Sequence, residues 1–273
     1  MRKYLFAFIV LFFVIGGVYS LNFSVSSNFK NRLALAVTSL FEAEFYESLA
    51  NPSVAYVKVQ EGLRKEELAM QLADRFDWDQ SDIEDFYAYD QIRDRKFEGR
   101  YFPDTYLVPK EVSGKEMREL MTERFNLKLA NLKKQAEKKN LNFDSVIIIA
   151  SIIQREATAT DMKLISGVIW NRIFSGMKLQ MDATLQYAKA TEENWWPRVV
   201  PEDKKISSVY NTYKNIGLPP SPIANPGLAA IEATINYQKT PCFYYFHKNR
   251  KIYCSKTYAE HKSKIDTYLI GKN

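Results

Sequence analysis

The chain has 273 residues, of which 46% are hydrophobic and 26% are charged. That composition is typical of a globular protein and argues against a disordered chain, and the length allows one fair-sized core or two smaller ones. The net charge of +6 suits contact with an anionic surface. Nucleic acid binding would show a denser basic stripe, whereas the longest candidate, Lys133 to Lys139, contains Glu137 and is typical of a solvated helix face. We therefore expect no nucleic acid partner.

Residues 1–21 predict a transmembrane anchor. Tyr4 to Leu21 contains no charged residue, and its length approaches the ~20 residues that a helix needs to cross a bilayer. Arg2 and Lys3 precede this stretch and hold the N-terminus in the cytoplasm. A cleaved signal peptide is the alternative, because Val18-Tyr19-Ser20 resembles a small-residue cleavage site, although Tyr19 is bulky and the run is long. In both cases the rest of the chain lies outside the cytoplasm.

The two cysteines, Cys242 and Cys254, flank a predicted hairpin in an oxidising compartment. Their spacing allows a disulfide, and the register of the hairpin decides whether it forms. Neither these cysteines nor the two histidines, His247 and His261, show the spacing of a metal site. We expect no metal and no cofactor.

A stalk and a small α/β module follow the anchor. Residues 22–52 begin with a polar stretch and then show mixed periodicity, which predicts a stalk. Residues 53–97 predict a module of one strand, a turn and two helices: the strand is Val54 to Val59, the turn is Glu61-Gly62, and the second helix is Asp82 to Tyr89. The first helix is predicted because apolar residues recur at helical spacing, namely Leu68, Leu72 and Phe76.

Residues 98–273 predict a larger, mixed α+β domain, so that the fold class of the whole chain is α+β. Ser113 to Glu116 forms a capping box that opens a long amphipathic helix. Asp144 to Glu156 is apolar nearly all round, which predicts a central buried helix. The remaining predicted elements are a helix over Leu164 to Phe174, a hairpin around Lys248-Asn249 and a closing helix over Tyr258 to Ile270.

Glu156 is the carboxylate that the sequence singles out for chemistry. It follows Ile153 by three residues and Ile149 by seven, so it shares a helix face with apolar side chains. Poor solvation on such a face raises the pKa of a carboxylic acid and keeps a proton available near neutral pH. A general acid that protonates a glycosidic oxygen needs that property. The alternative is a helix-end glutamate that reaches solvent or pairs with Arg155 or Arg172.

The segment after the Leu164 to Phe174 helix is a candidate for substrate binding. Gln180, Asp182 and Thr184 alternate, so an extended backbone would turn all three side chains to one side. Three hydrogen-bonding side chains on one side suit a sugar. The alternative is that Asp182 caps a helix over Ala183 to Ala188, and the pattern supports both interpretations equally.

A second candidate lies beside a proline-rich loop. Asn211, Thr212 and Tyr213 precede Gly217 to Gly227, whose prolines restrict the backbone to few shapes. Rigid loops that present polar side chains suit a binding cleft. A structural crossover is the alternative, again with equal support.

Eight short motifs occur in order between Val54 and the C-terminus. They are Glu61-Gly62, Glu98-Gly-Arg-Tyr-Phe-Pro-Asp-Thr-Tyr106, Ala150-Ser-Ile-Ile-Gln-Arg-Glu156, Val168-Ile-Trp-Asn-Arg172, Gly176-Met-Lys-Leu-Gln-Met-Asp-Ala-Thr184, Tyr210-Asn-Thr-Tyr213, Gly217-Leu-Pro-Pro220 and Ile223-Ala-Asn-Pro-Gly227. Each is weak alone, but the ordered set is specific. It resembles the endolytic murein transglycosylase family, also called YceG-like.

This resemblance implies a single-pass protein of the cell inner membrane with a LysM-like module at residues 53–97 and a catalytic domain at residues 98–273. It implies non-hydrolytic cleavage of peptidoglycan glycan strands between N-acetylmuramic acid and N-acetylglucosamine, which leaves a 1,6-anhydro end. The family's catalytic glutamate maps onto Glu156. The first acidic position of the same motif is Gln154 here, a departure that argues against a mechanism with two carboxylates on this helix. Ala183 stands where the family often has proline, and from this departure we expect a change in loop stiffness alone.

The residues expected to bind the glycan are those of the two candidate segments together with Tyr101 and Asp104 from the Glu98 to Tyr106 motif. The expected partners are glycan strands, the membrane and peptidoglycan synthases. One carboxylate is sufficient for this chemistry, because the substrate's own 6-hydroxyl acts as nucleophile. An ordinary hydrolase would need a second carboxylate facing Glu156, for which Asp182 and Asp104 are the candidates. A catalytically inactive wall-binding or scaffold protein is the alternative from another class.

Overall fold

The computed structural model describes residues 53–87 and 98–271, and the predicted anchor and stalk lie outside these residues. The unit described here begins at Tyr56 and has a mixed α+β fold. In chain order the elements are β1 (Val54–Lys58), α1 (Lys65–Phe76), α2 (Gln80–Tyr87), β2 (Thr105–Pro109), α3 (Gly114–Lys138), α4 (Phe143–Glu156), α5 (Met162–Phe174), α6 (Asp182–Lys189), a 3-10 turn (Pro201–Lys205), α7 (Leu228–Ile235), β3 (Tyr244–Lys248), β4 (Lys251–Ser255), α8 (Tyr258–Ile265) and a π-helical turn (Asp266–Ile270).

Strands β1 and β2 form a two-stranded sheet, with α1 and α2 between them in the sequence. The module boundary predicted after residue 97 therefore separates two strands that pair with each other. The sequence did not indicate β2, because the motif that begins at Glu98 has the composition of an aromatic loop. The Tyr101 ring stacks on Phe86 with 4.6 Å between centroids, and its hydroxyl donates to the Phe86 carbonyl at 2.7 Å. This contact ties α2 to the segment that leads into β2.

Helix α4 forms the centre of the core, as its sequence predicts. Most of its apolar side chains are fully buried or nearly so, Phe143 and Ile148 are partly buried, and α3, α5 and α7 contribute to the same hydrophobic cluster. The predicted capping box of α3 is present, with the Ser113 side chain accepting from the Glu116 N–H. Ser151 is a buried polar residue of α4. Its hydroxyl accepts from the Ile223 N–H at 3.0 Å and thereby connects the proline-rich loop to the core.

Strands β3 and β4 form the predicted antiparallel hairpin, with Tyr245 opposite Cys254. The two residues at the turn, Asn249 and Arg250, adopt positive φ. The disulfide that the sequence left open is formed between Cys242 and Cys254, whose Cα atoms are 5.7 Å apart. The closing helix is shorter than predicted, since the α-helix ends at Ile265 and continues as a π-helical turn.

Within residues 53–87 and 98–271, none of the helices combines the length and the apolar character that crossing a membrane requires.

Candidate active site

Glu156 is the last residue of α4 and opens onto a cleft of about 290 Å³. The helix stops there because Ala157 adopts an extended backbone. The cleft is lined by side chains from α4, α5, β3, α8 and the segments around residues 180 and 210; besides Glu156 they are Arg172, Gln180, Met181, Asp182, Lys204, Tyr213, Tyr244, Tyr245, Tyr258 and His261. A carboxyl group at the end of a buried helix is thus presented to a polar, tyrosine-rich depression.

Two donors from distant parts of the chain hold the Glu156 carboxyl. The Ala183 N–H, in the first turn of α6, donates to Oε1 at 2.9 Å, and the Tyr245 hydroxyl donates to Oε2 at 3.4 Å. The first four N–H groups of a helix have no partner within the helix, so α6 offers this bond without losing one. Both oxygens of Glu156 are therefore held in place.

The pKa of Glu156 is raised above its ordinary value, chiefly because the carboxyl is removed from solvent. The nearby negative charge of Asp182 acts in the same direction. The bonds from Ala183 and Tyr245 and the electrostatic effect of the nearby His247 oppose the increase without cancelling it. The group consequently retains a proton at a higher pH than a free glutamate does, which is what a general acid requires.

Arg172 forms part of the cleft wall but does not neutralise Glu156. Its guanidinium is buried and donates to the carbonyls of Phe243, at 2.6 Å, and Leu179. Arg155 instead lies over the Trp196 ring, 3.7 Å from its centroid. In the part of the chain that the structure describes, neither arginine forms an ion pair with Glu156, so the alternative of a merely paired helix-end glutamate is not observed. Arg172 holds the start of β3 beside the cleft floor.

Three of the predicted binding residues lie in the cleft with Glu156. Gln180 and Asp182 are exposed on one side of it, and Tyr213 donates its hydroxyl to Asp182 Oδ1 at 2.6 Å. Burial and the negative charge of Asp182 raise the pKa of Tyr213, so its hydroxyl remains a donor.

The backbone around Asp182 follows the helical alternative, because α6 begins at this residue. The residue before α6 is Met181, so Asp182 is in the first turn rather than at the cap. Thr184, inside the helix, is fully buried and turns away from the cleft. The expectation that three alternating side chains face one way is therefore correct for two of them.

Four other predicted binding residues are placed inside the protein. Thr184 and Thr212 pair through their hydroxyls at 2.9 Å, and Asn211 donates to the carbonyls of Lys204 and Ile206. Tyr101 is fully buried against Phe86. None of these four side chains lines the cleft of Glu156, so the structure does not support the expectation that they contact substrate there. Their patterns identified polar residues correctly, but a buried hydrogen bond and a ligand contact look the same in the sequence.

Asp104 lies outside the cleft of Glu156. It borders a separate groove of about 580 Å³, together with Glu61 and Gln154 among others. Its carboxylate is 3.6 Å from Arg124 and 3.7 Å from Lys128. Of the two residues considered as a second carboxylate, Asp182 therefore shares the cleft with Glu156 and Asp104 does not.

The contribution of the hairpin and of α8 to the cleft was not predicted from the sequence. Tyr244 and Tyr245 come from β3, whereas Tyr258 and His261 come from α8. Burial and the negative charge of Glu156 raise the pKa of Tyr245 well above its ordinary value, so that it stays a neutral donor. Burial, then the charges of Arg172 and Lys264, lower the pKa of His261 and keep its imidazole neutral. The run of aromatic residues in β3 was a signal, but nothing in the sequence connected it to Glu156.

A second carboxyl group with a raised pKa, Glu98, serves the structure. Burial raises its pKa to about 8. It is 1% exposed and accepts from the N–H groups of Lys65 and Gly99, beside the start of α1. It lines neither the Glu156 cleft nor the groove beside Asp104, so a raised pKa does not by itself mark a carboxyl group that faces a cleft. Within the described residues, no group of His, Cys, Asp or Glu side chains is arranged to hold a metal ion.

The fold and the cleft define a class of α+β protein that presents one carboxyl group of raised pKa among tyrosine rings. A profile of the YceG-like family matches residues 30–267. The chain belongs to the YceG-like family, which confirms the resemblance found in its motifs.

Curated relatives carry the name endolytic murein transglycosylase. The Bacillus subtilis protein is 35% identical over 179 residues, which are 64% of this chain and 49% of the relative. A Streptococcus pneumoniae protein is 31% identical over 182 residues, which are 65% of this chain and 33% of the relative. The chain thus spans about half of the first relative and a third of the second. The crystal structure of a YceG-like protein from Listeria monocytogenes aligns with a TM-score of 0.69 at 27% identity, covering 77% of this chain and 75% of the other.

Proposed function

We propose that this chain is a lytic transglycosylase that cuts peptidoglycan glycan strands internally, between N-acetylmuramic acid and N-acetylglucosamine, and leaves 1,6-anhydromuramic ends. Family membership and the names of the relatives support the substrate class. The observation that carries the proposal is Glu156, a carboxyl group of raised pKa held by Ala183 and Tyr245 at the floor of a tyrosine-lined cleft.

In this proposal Glu156 acts twice. Its proton passes to the glycosidic oxygen as the bond from that oxygen to C1 of the muramic acid breaks, and the N-acetylglucosamine portion leaves as an alcohol. The 6-hydroxyl of the same muramic acid then attacks C1 and gives its proton to the Glu156 carboxylate, which restores the acid. The Ala183 N–H and the Tyr245 hydroxyl stabilise the carboxylate between the two steps. Gln180, Asp182 and Tyr213 are positioned to contact the sugar.

A hydrolase is the second candidate, because Asp182 shares the cleft with Glu156. In that reaction Asp182 would activate water or attack C1, and the products would have reducing ends. Asp104 is not a candidate for the second carboxylate, since it borders a different groove.

Analysis of the product ends distinguishes the candidates. Purified murein strands are digested with the wild-type protein, and the products are examined by mass spectrometry before and after borohydride reduction. We expect anhydromuramic ends that borohydride does not reduce. Reducible muramic ends as the main product, abolished in Asp182→Asn, would establish the hydrolase instead.

The Glu156→Gln variant tests whether the protein is an enzyme at all. The amide has nearly the shape of the acid but cannot transfer a proton, so we expect activity to fall by ~10²–10⁴-fold or more while the fold is retained. Unchanged cleavage would end the assignment of Glu156. Absence of cleavage in the wild-type protein, combined with retained binding to glycan strands, would favour the inactive scaffold.

We further propose that residues 1–21 anchor the protein in the cell inner membrane, with a stalk at residues 22–52 and the catalytic region outside the cytoplasm. The LysM-like module of this proposal begins at residue 53 and extends past the predicted boundary at residue 97 to include β2, which pairs with β1. The uncharged stretch Tyr4 to Leu21 after Arg2 and Lys3 supports this arrangement. Such an enzyme would trim strands near the membrane, where peptidoglycan synthases work. The N-terminus of the mature protein is the test: Met1 in the membrane fraction supports the anchor, and a soluble chain that begins near Leu21 contradicts it.

A further inference from the structure

Gln154 stands on the opposite side of α4 from Glu156, since two residues correspond to about 200° of rotation around a helix. Its side-chain amide donates one hydrogen bond and accepts another. Nε2 donates to Glu61 Oε2 at 3.4 Å, and Oε1 accepts from the Gly227 N–H at 3.0 Å. Glu61 belongs to the turn after β1, and Gly227 caps the start of α7. One amide thus joins three segments that are distant in the sequence.

These three segments also meet through other contacts. The Gly62 N–H donates to the Asn225 carbonyl at 2.8 Å, and the Asn225 N–H donates to the Leu63 carbonyl at 2.8 Å. A Cβ atom at position 227 would overlap with the Glu61 carboxylate, so a larger residue there would displace the end of that side chain. The turn at residues 61–63 and the loop at residues 225–227 therefore form one clasp, and Gln154 connects it to the last turn of α4.

The bonding pattern requires an amide. A carboxylate at position 154 could accept from Gly227 but could not donate to Glu61, and the two carboxylates would repel each other. An apolar side chain would lose both bonds. The other charged groups around this point are Arg155, whose guanidinium reaches the Gly62 carbonyl at 3.5 Å, and Lys58 and Asp104, which border the same groove.

We propose that Gln154 is a positioning residue for Glu156. By bridging Glu61 and the Gly227 N–H, it holds the last turn of α4 against the clasp and so fixes where the Glu156 carboxyl meets Ala183 and Tyr245. This inference deepens the proposed function and rests on it for the kinetic test, whereas the hydrogen-exchange test below does not need any activity.

The central experiment exchanges the amide and the acid. In Gln154→Glu, a carboxylate faces Glu61, and we expect kcat to fall about tenfold at neutral pH with a smaller change in KM. The loss should decrease as the pH falls, because protonation of either acid restores a donor. In the double variant Glu61→Gln, Gln154→Glu, the amide donates from position 61, and activity should recover to within about threefold of wild type.

Two single variants serve as controls. Glu61→Gln leaves an amide opposite an amide, so the bond persists and we expect a change of less than about threefold. Gln154→Ala removes both bonds and should reduce kcat, though far less than Glu156→Gln does, because the catalytic proton remains. A purely structural residue would show the pH dependence and the recovery in the free energy of unfolding alone, while the kcat of the folded protein stayed at the wild-type value.

Hydrogen exchange followed by mass spectrometry gives a readout independent of cleavage. Peptides that cover residues 59–63 and 225–231 should exchange faster in Gln154→Glu and return to the wild-type rate in the exchanged pair. If the wild-type protein shows no cleavage but exchange follows this pattern, the proposed function fails and the bridge stands. Equal impairment of Gln154→Glu and the exchanged pair, or wild-type behaviour of Gln154→Glu, would overturn the inference.

Discussion

Tyr245→Phe tests how the cleft sets the acidity of Glu156. The substitution removes one hydroxyl and leaves the ring, which stands edge-on to His247 with 5.9 Å between centroids. Glu156 then keeps the Ala183 N–H and loses the donor on its other oxygen. Because that donor favours the charged form, its removal raises the pKa of Glu156 further. The acid becomes weaker, and the carboxylate that forms during the reaction is less stabilised.

The size of the effect follows from the geometry. The distance between the Tyr245 hydroxyl oxygen and Glu156 Oε2 is 3.4 Å, longer than the roughly 2.5–3.0 Å usual for such bonds. We therefore use the range for a neutral hydrogen bond, about 0.5–1.5 kcal/mol, rather than that for a bond to a full charge. This corresponds to a roughly two- to tenfold decrease in kcat.

The assay is the dependence of kcat/KM on pH with soluble glycan strands. Protonated Glu156 is lost as the pH rises through its pKa, so the alkaline limb should move to higher pH in Tyr245→Phe. The ratio of variant to wild-type activity should therefore increase with pH. Tyr253→Phe is the matched control, because Tyr253 belongs to the same hairpin but packs on Phe246. An unchanged pH profile, or an equal effect in the control, would refute the role of Tyr245.

Three further predictions concern stability and the second carboxylate. The folded-state pKa of Glu98 is raised from 4.5 to about 8, so the folded state binds the extra proton and stability decreases as the pH rises across that interval. Glu98→Gln should weaken this decrease, and urea unfolding at pH 6 and pH 9 measures it; an unaltered pH dependence would contradict the assignment. Reduction of the bond between Cys242 and Cys254, which are 12 residues apart, should cost about 3 kcal/mol by the loop-closure estimate, seen as a lower Tm that Cys254→Ser reproduces without reductant; equal Tm values with and without reductant would argue against it. Asp104→Asn should leave cleavage within about twofold of wild type, because a partly exposed ion pair contributes little, whereas Asp182→Asn should impair it in the same assay; the reverse order would return Asp104 to the mechanism.

Local patterns were sufficient for most of the elements. The capping box at Ser113 opens α3, the apolar run up to Glu156 forms the buried α4, and the hairpin appears around Lys248-Asn249. These features depend on bonds and periodicities within a few residues, which the sequence displays directly. Glu156 was singled out in the same way, since a glutamate on an apolar helix face is a local observation, whereas its catalytic role came from the family resemblance and stays a prediction.

The surroundings of Glu156 were decided by the tertiary structure. Ala183 is 27 residues away in the chain and Tyr245 is 89 residues away, yet each bonds one oxygen of this carboxyl. Thr184 and Thr212 carry the same polar groups that a sugar site would use, but packing turns them toward each other. A sequence specifies which side chains can form hydrogen bonds; whether the partner is a ligand, a backbone group or another side chain depends on which segments the core brings together.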